Sequence, residues 1–175
     1  ISIFGGKLTD CINVGTEIAE IVSSLGVGLP DADKVWFGEP DAAERKAFFE
    51  QAKAMDLDKN TTSSASEPLS QRLWRRYDRW AFDVLGMIQS DPSKADILIE
   101  NTEYIRAEVE LVAEREMVTK LEDFLRRRSK IEQVIEKDKL VEARGLREAC
   151  EILFAEQADE KLSEYIQSAK NTKKP

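Results

Sequence analysis

Apolar residues recur along the chain with helical spacing, interrupted by short polar or glycine-rich breaks. Ile12, Ile18, Ile21, Val22 and Leu25 share one side of a helix that Thr9 or Asp10 can cap and Gly26 and Gly28 can end. Ahead of it, Ile1–Phe4 before Gly5-Gly6 reads as the end of a buried strand. Residues 30–40 read as a loop carrying Trp36 and Phe37, after which Asp41-x-x-Glu44 forms a capping-box start for a helix reaching about Met55. The small polar residues at 58–66 (DKNTTSSAS) predict a mobile loop.

The strongest periodicity follows. Leu73, Tyr77, Trp80, Val84 and Ile88 fit one helical stripe, widened by Trp74, Ala81 and Leu85. Asp91-Pro92 places a cap before a proline and predicts a short helix over Ser93–Ile99. Tyr104–Met117 continues the pattern through Ile105, Val109 and Val112. Thr119-x-x-Glu122 restarts a helix with Leu121, Phe124, Leu125, Ile131 and Ile135 on one face. Further helices are expected at Gly145–Gln157 and Asp159–Ser168, with a fraying NTKKP end.

Composition narrows the function classes. Hydrophobic residues make up 42% and charged residues 34% of 175 positions, enough for one core or one domain with a stub. Lys and Arg number 26 against 34 Asp and Glu, a net charge of −8 that repels nucleic-acid backbones. Cys11 and Cys150 make no disulfide framework and predict a reducing cytoplasm. No apolar run approaches the ~20 residues of a membrane span, and no signal-peptide pattern is visible. Histidine is absent, which removes the commonest general base and metal ligand.

Three groups of residues could carry chemistry. In GGKLT, a Gly-Gly turn entering a helix N-terminus exposes backbone N–H groups to an anion, and Lys7 adds a charge; the spacing is not that of a Walker A loop. A tight turn with glycines for geometry alone explains the same residues. The clusters Arg72–Trp80 and Arg126–Arg128 mix arginine with aromatic residues, which reads better as an ion-paired face than as an RNA surface. At about 100° per residue, Arg128 falls inside the stripe of Phe124, Leu125 and Ile135. An arginine there needs a carboxylate, and Glu116 or Glu108 on the preceding helix is in position to hold the two helices in register. No carboxylate pattern suggests a metal.

The order of GGKLTD, WFGEPD (36–41), LSQRLWRRYDRWAFDVL (69–85), NTEYIRAEVELVAEREMVTKLEDFLRRRSKI (101–131) and GLREACEILFAEQ (145–157) resembles the C-terminal part of FAD-dependent glycerol-3-phosphate dehydrogenases and oxidases. The resemblance spans nearly the whole chain. It implies a mainly α fold: a helical C-terminal domain, an antiparallel helix bundle at 29–175, preceded at 1–28 by a strand-turn-helix stub of an FAD-binding α/β domain. It implies oxidation of sn-glycerol 3-phosphate to dihydroxyacetone phosphate, with hydride passing to the flavin and electrons to quinone or oxygen. Gly5, Gly6, Lys7, Leu8 and Thr9 would line the flavin, and Lys7 would touch flavin or substrate. The family's usual continuation, Thr-Tyr-Arg or Asp-Tyr-Arg, is Asp10-Cys11-Ile12 here, which leaves the substrate open.

These residues alone carry no complete catalytic set and are not expected to bind FAD. The expected partner is the protein's own N-terminal FAD-binding domain, in the cytoplasm or peripherally on the inner face of the cell membrane, the latter by analogy alone. The alternative is a self-contained helical module that binds another protein. The stripe of the first helix separates the two: exposed in a severed enzyme piece, integrated in a module.

Overall fold

The computed structural model describes residues 10–30 and 41–171, and the chain divides into two units, Ile1–Glu39 and Pro40–Pro175. The strand expected at Ile1–Phe4, the turn residues Gly5–Thr9 and the loop residues Trp36 and Phe37 lie outside the described residues.

The first unit contains helix α1, Cys11–Ser24. It ends where the Leu25 amide turns back to the Ile21 carbonyl and Gly26 takes φ +83°, a left-handed conformation that suits glycine. No residue of α1 is buried, and Ile12, Ile21 and Leu25 are 54%, 48% and 71% exposed.

The second unit is all-helical: α2 (Ala42–Ala54), α3 (Leu69–Tyr77), α4 (Ala81–Ser90), α5 (Arg106–Arg115), α6 (Ile131–Val134), α7 (Lys137–Glu142), α8 (Leu146–Phe154) and α9 (Ala158–Asn171). Among the described residues there is no sheet, and Ile97 and Ile105 form an isolated antiparallel bridge. The capping box of α2 is formed. The Glu44 amide donates to Asp41 Oδ1 at 2.8 Å and the Asp41 amide to Glu44 Oε2 at 3.1 Å.

Helix α5 organises the core because opposite faces of it enter two different apolar clusters. Ile105, Ala107 and Leu111 join Phe48 of α2, Leu73 of α3 and Val84, Leu85 and Ile88 of α4. Val109 and Val112 join Phe124, Leu140, Leu146, Ala149 and Tyr165 on the other side. Phe48 is fully buried, with Phe49 and Phe82 edge-on at 5.3 and 5.6 Å between centroids. A helix apolar on two sides has to lie between layers rather than on a surface.

Several breaks depart from the periodicity. The stripe from Leu73 to Ile88 is not one helix: Asp78 takes φ +52°, and a 3-10 turn at Asp78–Trp80 redirects the chain into α4. Trp80 therefore leaves the core, 49% exposed, with the Arg115 guanidinium 5.0 Å above its ring. The helix expected over Ser93–Ile99 is a 3-10 turn at Pro92–Ala95, because Ile97 bridges to Ile105 instead. After Thr119, Asp123 rather than Glu122 satisfies the helix start, accepting from the Lys120 amide at 2.9 Å and from Thr119 Oγ1 at 3.0 Å.

Residues Asp123–Arg128 then wind as a π-helix, closed by the Ser129 amide on the Phe124 carbonyl at 2.8 Å. Lys130 follows with φ +60°. The segment 58–66 begins in a 3-10 turn, Leu57–Asn60, and holds the start of α3: Asp58 accepts from the Ser70 amide and hydroxyl, Thr61 Oγ1 from the Leu69 amide. Gly145 is required at its position. Its φ is +83°, and a Cβ there would lie 1.6 Å from the Leu98 carbonyl oxygen.

Candidate functional site

The polar centre of the helical unit is the Glu108 carboxylate on α5, fully buried. Arg72 of α3 forks onto it, Nη1 to Oε1 at 3.0 Å and Nη2 to Oε2 at 2.7 Å. The Tyr77 hydroxyl donates to Oε1 at 3.0 Å and the Ile105 amide to Oε2 at 3.0 Å, and Arg76 stands 3.6 Å away. Every lone-pair direction of this carboxylate is spoken for, so it serves as an anchor and not as a general base.

Above this anchor opens a cleft of about 330 Å³, walled by Arg75, Arg76, Tyr77, Tyr104, Glu116, Arg128 and Lys130 among others. Arg76 stacks over the Tyr104 ring at 4.5 Å, and the Tyr104 hydroxyl donates to the Ser129 carbonyl at 3.0 Å. Burial pushes the Tyr104 phenol up to about 12, with Arg76 pulling the other way. Burial, then the Glu108 charge, raises Tyr77 further still. Both phenols stay protonated and remain donors at neutral pH.

Of the two carboxylates considered for Arg128, Glu116 is the one in contact, 2.7 Å from Nε, while Glu108 belongs to Arg72, Arg76 and Tyr77. Arg128 is 43% exposed and sits on the cleft rim, not in the apolar stripe. The π-helix explains the difference: wider turns advance fewer degrees per residue, so an α-helical wheel misplaces the residue at its end. The buried arginine is Arg72. Arg72 shares a face of α3 with Leu69, three residues earlier, but only the packing of α5 brings it the Glu108 carboxylate. The remaining arginines of that cluster are ion-paired: Arg75 with Glu67 and Arg79 with Glu44.

The residues expected to touch a cofactor, Gly5, Gly6, Lys7, Leu8 and Thr9, lie outside the described residues. Cys150 is buried, its Sγ donating to the Ala158 carbonyl at 3.2 Å, and burial lifts its thiol to about 11, which makes it a packing residue rather than a nucleophile. Among the described residues no group of His, Cys, Asp and Glu is arranged to hold a metal ion. None of the described helices is long and apolar enough to cross a membrane.

The described residues of the second unit form an all-helical domain with a basic cleft. The family described as the C-terminal domain of alpha-glycerophosphate oxidase matches residues 41–167, and the chain belongs to that family. Comparisons with curated proteins and with solved structures gave no match.

Proposed function

We propose that this chain is the C-terminal part of an FAD-dependent glycerol-3-phosphate dehydrogenase or oxidase and that its helical domain braces the flavin domain without doing chemistry. Residues 1–28 complete the flavin domain, and the remainder forms the brace. The reading is carried by the family match over 41–167 together with GGKLTD at 5–10 directly upstream of α1. A bound flavin would supply the hydride-accepting chemistry for oxidising glycerol 3-phosphate at C2.

This chain's residues would hold that ring. Gly5 and Gly6 allow close backbone approach, amides near Leu8 and Thr9 meet negative charge, and Lys7 adds a cation. The start of α1 fits such a role, since Asp10 makes no side-chain cap and its Oδ1 accepts from Asn13 Nδ2 at 2.7 Å instead. The Arg128–Glu116 contact, a partly exposed pair, links the end of α5 to the π-helix. By analogy the enzyme acts in the cytoplasm or against the inner face of the cell membrane.

The test is expression of the full-length parent and its Lys7→Ala variant. The parent should carry yellow flavin that bleaches on adding glycerol 3-phosphate, and the variant should bleach more slowly or bind less flavin. Residues 1–175 alone should neither bind FAD nor turn over substrate. A colourless parent ends the flavoenzyme reading.

A further inference from the structure

We propose that the cleft between α3, α5 and the π-helix is a binding site for a small phosphomonoester, gripped by Arg76, Arg128 and Lys130. The proposal stands on this chain's own geometry and does not rest on the function proposed above.

Cations outnumber carboxylates on the walls: Arg75, Arg76, Arg128 and Lys130 face one lining acid, Glu116. Arg75 is already paired with Glu67, and Arg72 with Glu108 behind the lining residues. Lys130 has no carboxylate partner among the described residues, and Arg128 gives Nε to Glu116 while staying 43% exposed. In a chain of net charge −8, a concave surface with this excess of positive charge is a local reversal of sign. A guanidinium fork matches phosphate oxygens in pairs, and a lysine adds a mobile point charge.

Size limits the ligand. A cleft of about 330 Å³ lies at the lower end of small-molecule sites, and the chain's overall charge disfavours a polyanion. The Tyr77 and Tyr104 hydroxyls are already spent on Glu108 and the Ser129 carbonyl, so recognition falls to charge, with the Tyr104 ring and Val112 beside the ligand's body. Arg76 is fixed from below by Glu108 and the Tyr104 ring, which leaves Lys130 and Arg128 as the adaptable grips.

Titration calorimetry on the full chain with inorganic phosphate, then with glycerol 3-phosphate, tests the site, and glycerol serves as the uncharged control. Saturable one-to-one binding to the two phosphates, weakened by added sodium chloride and absent with glycerol, is the expected result. The Arg128→Gln, Lys130→Gln double variant should bind at least about tenfold more weakly, the scale of one lost charged contact. Lys46→Gln, on the exposed face of α2, should bind as the parent does. Circular dichroism checks that each variant is folded. A parent that fails to saturate, or a folded double variant that binds like the parent, overturns the assignment. So does cosedimentation with phosphatidic-acid vesicles that the double variant loses, when free phosphate does not bind: the site would then read a lipid headgroup.

Discussion

Two arginine–glutamate pairs live under opposite physics: one buried behind the cleft residues Arg76 and Tyr77, the other on the cleft's rim. At the floor, Arg72 and Glu108 are 3% and 0% exposed; at the rim, Arg128 and Glu116 are 43% and 32% exposed. Burying two charges carries a desolvation penalty that only full hydrogen bonding offsets, and the floor pair has it, through the arginine fork, Tyr77 and the Ile105 amide. The rim pair keeps its water, so its attraction is screened and weak. The floor is therefore brittle and ties α3 to α5, whereas the rim can exchange its partner for an anion at little cost.

The comparison breaks most sharply at Glu108. Glu108→Ala leaves Arg72 buried without a counter-charge and should lower unfolding free energy by about 3–5 kcal/mol, read by urea denaturation. Tyr77→Phe removes one donor from the same carboxylate and should cost about 1–3 kcal/mol in the same experiment. A double-mutant cycle on Arg72 and Glu108 should give a coupling of about 0.5–3 kcal/mol, and a loss that simply adds would dissolve the distinction.

A pH scan sharpens the comparison at Tyr104, which joins floor to rim. Its folded phenol titrates at about 12 against an ordinary value of 10.0, so the neutral form is favoured by folding. Its contribution is whole below pH 10 and is lost as the pH rises through about 12, because the unfolded chain ionises first. Tyr77 and Tyr165 are raised in the same direction and add to the slope, so Tyr104→Phe should flatten part of the alkaline fall in melting temperature. The smallest effect belongs to the rim: Arg128→Gln should change stability by about 0–1 kcal/mol, and less in high salt.

Local signals carried far in some places. The Asp41–Glu44 capping box, the span of α1 and its stop at Gly26, and the helix after Gly145 were legible because each depends on neighbours within a turn or two. The family motif was legible too, and the helical domain it implied is what the described residues from 41 onward form. Where the reading failed, the deciding contact was remote. The stripe through Tyr77 and Trp80 has no local defect, yet Asp78 turns left-handed and sends Trp80 outward against Arg115 of α5. Arg128 looked buried on a regular helix, and the π-helix moved it to the rim. Arg72 looked like one more surface arginine until α5 brought Glu108 to it, thirty-six residues along the chain.

By itself the sequence determined the helical character of this protein, the bounds of α1 and α2, the start of α8 and its family, since caps, periodicity and motif are properties of adjacent residues. The tertiary structure alone decided which charges are buried, where the regular winding gives way and that four cations share a cleft. Desolvation and charge pairing depend on what surrounds a group in space, and no stretch of neighbouring residues records that.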